Sequence, residues 1–467
     1  MKKLIALLLV AILCLGTLAG CGGGKDDKTT AAGNEGGSQA SGLEDPLHDW
    51  ILEEDTSISG KVRWGMPFKG NQGMDDLIAE FNQTYPNIEV ELITFDNSAN
   101  GNIALNTAIT SGEYDVVVSF GLANMMTRAE TGLYKDLTDK IKEEQIDLVA
   151  NWGTDSYTVD GKYYTLPCGG LTHYVAINMD AWKAAGYNEL PTEWTWDEYI
   201  EASRKMTVKN DDGTTKTYGG SNYQNIADML NIVYQMNGQN RYYNTDGTSV
   251  FDSKVVKDQM QKYINAENEG IWFKLSTYRA DNDKAWFTIT DGRVNSTIIC
   301  NLARYLRNTE EYGMDSLVGF APYPIVAEGQ ENLGAGVNYF SYAGMTMNCQ
   351  DEKAAWAFLK WYSSYGCKYL PLAGHQPTWK GTDANEMMNL IFGSEEEAAK
   401  IIDVESFKRV VGNTELHAAG DYITKGYAEL ESIWSEWVMK AFNGEMGVEE
   451  ALTEAGKLAN QVINENK

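Results

Sequence analysis

Between Val62 and Val118 the apolar residues alternate between two spacings, and this alternation confines the segment to one class of fold. Val62, Trp64 and Met66 repeat every second residue, as on a strand. Met74, Leu77, Ile78 and Phe81 then follow the i, i+3, i+4, i+7 spacing of an amphipathic helix, and Pro86 ends it. Ile88, Val90 and Leu92 read as a second strand and 102–110 as a second helix. Val116, Val117 and Val118 form the continuous apolar run of a parallel strand covered on both faces. Strand, helix, strand, helix, strand with right-handed crossovers predicts an α/β lobe with helices on both sides of a parallel sheet. Ligand sites in such sheets lie beyond the carboxyl ends of the strands. Pro67, Phe68 and Lys69, then Ser119, Phe120 and Gly121, are the residues at those ends.

Further signals continue the pattern. Thr195-Trp196-Asp197-Glu198 has the spacing of a capping box and predicts a helix start. Ala355, Phe358, Leu359 and Tyr362 mark an amphipathic helix, and Ala451, Leu452, Ala455, Leu458, Ala459 and Val462 mark the last one. Asp211-Asp212-Gly213 and Asp246-Gly247 are hairpin-type turn signals in the middle third of the chain. Beyond the N-terminal 57 residues the chain is longer than one hydrophobic core usually serves, so two lobes are expected.

The N-terminus reads differently. Lys2 and Lys3 precede an uncharged apolar run from Leu4 to Leu18, which closes on Leu18-Ala19-Gly20-Cys21. The run is shorter than the roughly 20 apolar residues of a membrane span and has the flanks of an export signal. Its last four residues resemble a bacterial lipobox, which implies cleavage before Cys21 and acylation of its thiol, palmitate being one such chain. Residues 1–20 are then the signal peptide. The stretch 22–45 is rich in Gly, Ser, Thr, Ala, Lys and Asp and lacks the apolar area to offset the entropy of ordering, so 21–57 read as a lipidated cysteine and a tether. His48, Trp50, Ile51 and Leu52 either dock the end of the tether or open a first helix.

Without Lys2 and Lys3 the chain has 36 basic and 66 acidic side chains, 36 minus 66, a formal charge of −30. That balance repels nucleic acid and anionic lipid. Cys168, Cys300, Cys349 and Cys367 remain after the signal; export permits disulfides, and they show neither CxxC nor zinc-ligand spacing. Buried free thiols are the plainer reading, with any pairing left open. No metal or cofactor motif is present: there is no P-loop, H-E-x-x-H or G-x-S-x-G elbow.

Six segments in order carry a resemblance across nearly the whole mature chain. They are Phe81-Asn82-Gln83-Thr84-Tyr85-Pro86-Asn87-Ile88-Glu89-Val90, Thr110-Ser111-Gly112-Glu113-Tyr114-Asp115-Val116-Val117, and Gly132-Leu133-Tyr134-Lys135-Asp136-Leu137. Asp160-Gly161-Lys162-Tyr163-Tyr164-Thr165-Leu166-Pro167, Asn178 with Trp194-Thr195-Trp196-Asp197-Glu198, and Ala354-Ala355-Trp356-Ala357-Phe358-Leu359 follow. This order resembles the extracellular solute-binding proteins of bacterial carbohydrate ABC importers, the maltose and multiple-sugar binding proteins among them. Tyr114 departs from the pattern, since a Pro often stands before that Asp.

The resemblance implies a two-lobed periplasmic-binding-protein-like α/β fold whose discontinuous lobes are joined by hinge strands. Crossings are expected after Pro167, near 339–344 and near 374–377. Lobe one would comprise 58–170 plus 343–373, and lobe two 174–338 plus 376–467. The ligand would lie between them, and the carry-over places Phe68, Ser119, Phe120, Gly170, Leu171, Thr172, His173, Tyr223, Asn225, Asn301, Arg304, Tyr339 and Trp379 around it. Aromatic faces pack on the C–H side of a sugar ring while Asn, Ser and Arg bond its hydroxyls, so this set suits a neutral polyol. None of the thirteen is acidic, which weighs against a cationic ligand. The implied role is a non-catalytic receptor, lipid-anchored on the outer side of the cell membrane, that delivers a carbohydrate to an ABC permease and binds no nucleic acid. Alternatives are a peptide, a polyamine or a metal complex in the same fold, or a secreted glycoside hydrolase, which needs two carboxylates about 5 to 9 Å apart across a cleft.

Overall fold

The computed structural model describes residues 56–153, 158–221, 226–280, 288–333, 337–413, 420–422 and 426–466. Cys21, the tether, His48 to Leu52, Tyr223 and Asn225 lie outside them. Nine strands build the two main sheets: β1 Gly60–Met66, β2 Ile88–Thr94, β3 Val116–Phe120, β4 Thr165–Thr172, β5 Tyr174–Asn178, β6 Ser296–Ile299, β7 Val318–Pro322, β8 Val337–Met345 and β9 Gln376–Pro377. The helices that matter here are α1 Met74–Thr84, α2 Ala99–Thr110, α3 Leu122–Glu130, α4 Trp196–Met206, α5 Lys254–Asn268, α6 Glu352–Ser363, α7 Tyr427–Phe442 and α8 Val448–Glu465.

The first lobe is a six-stranded sheet in the order β9-β4-β8-β3-β1-β2. The part predicted from periodicity is parallel: β1 pairs β2 with Val62 opposite Val90, and β3 with Trp64 opposite Val116. β8, β4 and β9 then add on antiparallel. Val62, Trp64 and Met66 are fully buried, as are Met74, Leu77 and Phe81 on the inner face of α1. Phe81 meets Phe358 and Trp361 edge-on at 5.1 and 5.4 Å between centroids, while Trp64 meets Phe358 and Tyr362 in the same way. The sequence pattern marked α6 as amphipathic, yet every residue from Ala354 to Ser363 is buried. It lies across β1, β4 and β8, and a 3-10 segment at Tyr365–Ala373 packs against it as well. Lys360 tolerates that position because its ammonium pairs with Glu144 at 2.6 Å and lies 5.6 Å from the Trp356 ring centroid.

The second lobe has a three-stranded antiparallel sheet, β6-β5-β7. The capping box is present as read: Thr195 Oγ1 accepts from the Glu198 amide at 3.2 Å, and Glu198 accepts from the Thr195 amide at 2.7 Å. α4 then buries Trp196 and Tyr199 among Tyr263, Trp272 and Tyr323. α7 packs on α8, and α8 on α5. Asp211-Asp212-Gly213 turns a small hairpin, and Asp246-Gly247 turns between the bridged pair Tyr243 and Ser249. Cys168, Cys300, Cys349 and Cys367 are buried, and none of them is joined in a disulfide among the described residues. Burial pushes the Cys367 thiol up to about 11 and that of Cys349 up to about 12.

The chain passes from one sheet to the other with only His173 between β4 and β5. It returns between β7 and β8, and the large sheet holds it again from Val337, which pairs with Thr172. The third passage follows β9, whose Gln376 and Pro377 pair with Gly170 and Gly169.

Candidate functional site

A cavity of about 310 Å3 opens where the strand ends of the large sheet face the second lobe. Its two walls differ in chemistry. The sheet-side wall is made by Phe120 at the end of β3, Gly121 and the first turn of α3, Leu171 of β4, and Phe340 and Tyr342 of β8. Gly121 sits at φ +82, a backbone conformation open to glycine, and this lets β3 turn directly into α3 with its amino end at the cavity. Asn124 donates to the Phe120 carbonyl at 2.7 Å and fixes that turn.

Behind this wall four rings pack together. Phe120 lies 5.3 Å from Phe68, 5.2 Å from His375 and 6.0 Å from Phe340. His375 also faces Phe68 at 5.0 Å. Burial, with the Arg304 charge nearby, pushes the His375 pKa down to about 3, so it acts here as a neutral aromatic ring.

The opposite wall is polar: His173, Asp228, Arg241, Asp421, Tyr427 and Glu431, with Ala227. Arg241 organises it. Its Nε and main-chain amide donate to the two Asp421 oxygens at 2.9 and 2.8 Å, one terminal nitrogen donates to Asp228 at 3.0 Å and Asn231 at 3.2 Å, and the other donates to the Tyr427 hydroxyl at 3.0 Å. Tyr427 in turn donates to Asp421 at 3.1 Å. Asp228 meets the His173 Nε2 at 3.2 Å on its other side. Burial works against the Asp228 carboxylate, but His173 and Arg241 outweigh it and hold its pKa below the ordinary value. Glu431 differs: burial, reinforced by Asp228 and Asp421, raises its pKa against the pull of Arg241.

The thirteen sequence-predicted residues separate into groups. Phe120, Leu171 and His173 line the cavity, and Phe68 backs it. Gly170 and Thr172 belong to β4 beside it, Gly170 facing Tyr339 and Gln376 through the backbone. The side chain of Tyr339 lies outside the described residues, as do Tyr223 and Asn225. Ser119 points away, as alternation along β3 requires: its hydroxyl meets Tyr134 and accepts from Arg128, both at 2.6 Å, in the interior. Trp379 is also interior, donating to Asn151 at 3.0 Å with its ring 5.0 Å from Tyr365.

Asn301 and Arg304 sit at the third passage. Arg304 donates to the Ala373 carbonyl at 2.6 Å, and a Cβ on Gly374, at φ +91, would stand 2.7 Å from the Arg304 Cδ. This pair joins the second lobe to the hinge. Asp228, Arg241, Asp421, Tyr427, Glu431 and Phe340 were not among the predicted residues. Three of them are acids, where the carried-over set had none.

Two α/β lobes joined by hinge strands, with a cavity at the strand ends between unlike walls, define a two-lobed solute-binding protein. The chain matches the bacterial extracellular solute-binding protein family over residues 68–366 and belongs to it. Solved structures agree on the fold. A sugar transporter from Rhizobium etli in an open conformation shares 16% identity with a TM-score of 0.70, covering 86% of this chain and 99% of its own. An ABC substrate-binding protein from Listeria monocytogenes in complex with cycloalternan shares 16% at 0.65, covering 87% and 100%. A maltose-bound protein from T. maritima shares 21% at 0.63, covering 85% and 98%.

Proposed function

We propose that this protein is the capture receptor of an ABC importer, closing its lobes on a sugar or oligosaccharide and passing it unchanged to a membrane permease. The observation that supports this most is the pairing of walls across one cavity. Phe120 and Phe340 offer aromatic faces for the C–H side of a pyranose, and the network around Arg241 offers donors and acceptors for its hydroxyls. The cycloalternan and maltose held by two proteins of the same fold support the same ligand class.

The cleft comprises Phe120, Leu171, His173, Asp228, Arg241, Phe340, Tyr427 and Glu431, with Phe68 and His375 behind it. The lobes are 58–172 with 337–377 and 174–322 with the C-terminal helices, and β4 and β8 serve as hinge strands. A ligand touching both walls favours the closed arrangement by its differential contacts. The reading is non-catalytic. Glycoside hydrolysis needs carboxyl groups flanking the scissile bond, whereas Asp228 and Asp421 stand on one wall and share Arg241. Cys21 is the lipid attachment site, holding the receptor on the outer face of the membrane at high local concentration beside its permease.

A thermal-shift screen of mono- and oligosaccharides tests the reading. A sugar that raises the melting temperature and is recovered intact supports it. Response only to a peptide or polyamine replaces the ligand class, and a cleaved sugar replaces the receptor by a hydrolase.

A further inference from the structure

The polar wall holds one guanidinium and three carboxylates, Asp228, Asp421 and Glu431. Arg241 is already committed: Nε to Asp421, one terminal nitrogen to Asp228 and Asn231, the other to Tyr427. It has little left with which to receive an anionic ligand. Asp228 and Asp421 are its ion-pair partners, at 3.0 and 2.9 Å. Glu431, one turn beyond Tyr427 on α7, faces the same cavity with no hydrogen-bond or ion-pair partner among the described residues. The amino end of α3 on the opposite wall adds a partial charge of about +0.5. Arg241 and His173 both bear on Asp228, and Arg241 on Asp421, which leaves Glu431 as the carboxylate of this wall without a partner among the described residues, within a chain whose formal charge is −28.

We infer that Glu431 selects the ligand by charge and that the captured sugar carries a protonated amine, which seats on this carboxylate. The inference rests on the carbohydrate reading above and narrows it to amino sugars, with acidic sugars excluded. The charged and titratable groups sharing the cavity with Glu431 are Arg241, Asp228, Asp421, His173, Tyr342 and Tyr427, and Arg241, the permanent cation among them, is held by the two aspartates.

Isothermal titration of the mature chain and its Glu431→Gln variant tests it with matched probes: glucosamine, glucose and glucuronate, and the β-1,4 trimers of glucosamine and of glucose. The inference expects the ammonium probe of a series to bind at least tenfold tighter than its neutral partner and glucuronate to bind weakest. E431Q, nearly the same shape, should erase the ammonium advantage, so that the two probes of a series bind alike, and should leave the melting curve of the free protein near its original position. Equal binding of the ammonium and neutral probes sinks the inference and leaves the sugar receptor standing. An ammonium advantage that survives in E431Q, or glucuronate binding as well as glucose, overturns it too. Silence across the whole panel, with a non-sugar solute bound, overturns both.

Discussion

Arg241 makes the cleft wall a single unit, because four side chains and its own main-chain amide converge on it and on Asp421. Removing one partner of a buried charge network leaves the others uncompensated, at a typical cost of about 3 to 5 kcal/mol. R241M is therefore expected to lower stability by roughly that amount in urea melts and to abolish ligand binding. F340A tests the other wall. Phe340 is only half-buried, so this variant should weaken sugar binding at least tenfold in titration calorimetry while the melting temperature moves little.

Glu267 gives a pH signature away from the cleft. It is 6% exposed, accepts from the Leu275 amide at 3.0 Å, and burial pushes its pKa up from 4.5 to about 7. The folded chain thus holds this proton more tightly than the unfolded one, and stability falls as pH climbs from about 4.5 through about 7. E267Q should be near neutral at pH 4.5 and more stable than the parent at pH 8 by up to about 3 kcal/mol in denaturant melts. A parent and variant with the same pH dependence would contradict the assignment.

At the scale of elements, the capping box at Thr195 and Glu198 starts α4, which carries Trp196 and Tyr199 into the second core. T195A removes one acceptor from the first turn and should cost about 1 kcal/mol in the same melts without touching ligand affinity. This motif was legible because both of its signals lie within four residues. So were β1, α1, β2, α2 and β3, whose periodicities are local. The buried surroundings of α6 were not: Ala355, Phe358, Leu359 and Tyr362 show one apolar stripe, but Lys360 and Ser363 are buried as well, because Glu144, 216 residues earlier, pairs with Lys360 and strands β1, β4 and β8 cover the helix.

The cleft was legible only where strand ends produce it. Phe120 follows from the rule that ligands sit beyond strand termini, and Leu171 and His173 came from the family resemblance, yet alternation along β3 turned Ser119 inward onto Arg128 and Tyr134. Apart from His173 the polar wall left no local trace, since Asp228, Arg241, Asp421 and Glu431 come from segments up to some two hundred residues apart and meet only through the tertiary fold. Trp379 shows the converse. Its neighbourhood in sequence suggested the cleft, but Asn151 and Tyr365 hold it in the first lobe's interior.

At the scale of the molecule, two sheets exchange the chain at His173, at the β7 to β8 passage and after β9, so short extended segments join the lobes. Arg304 bonding the Ala373 carbonyl crosses that boundary beside Gly374. The lipid anchor proposed at Cys21 belongs to the same scale. A C21S chain should bind its sugar as the parent does while escaping into the medium and supporting less uptake, which cell fractionation with a transport assay reads directly.

The central claim is that both walls close on one sugar without reacting with it. Small-angle scattering of the mature chain, titrated with the sugar that gives the largest thermal shift, measures this most directly. The account predicts a fall in radius of gyration that saturates with binding, is lost in R241M, and leaves the sugar chemically intact by mass spectrometry. A tightly bound sugar with an unchanged radius, or one released as cleavage products, would contradict it.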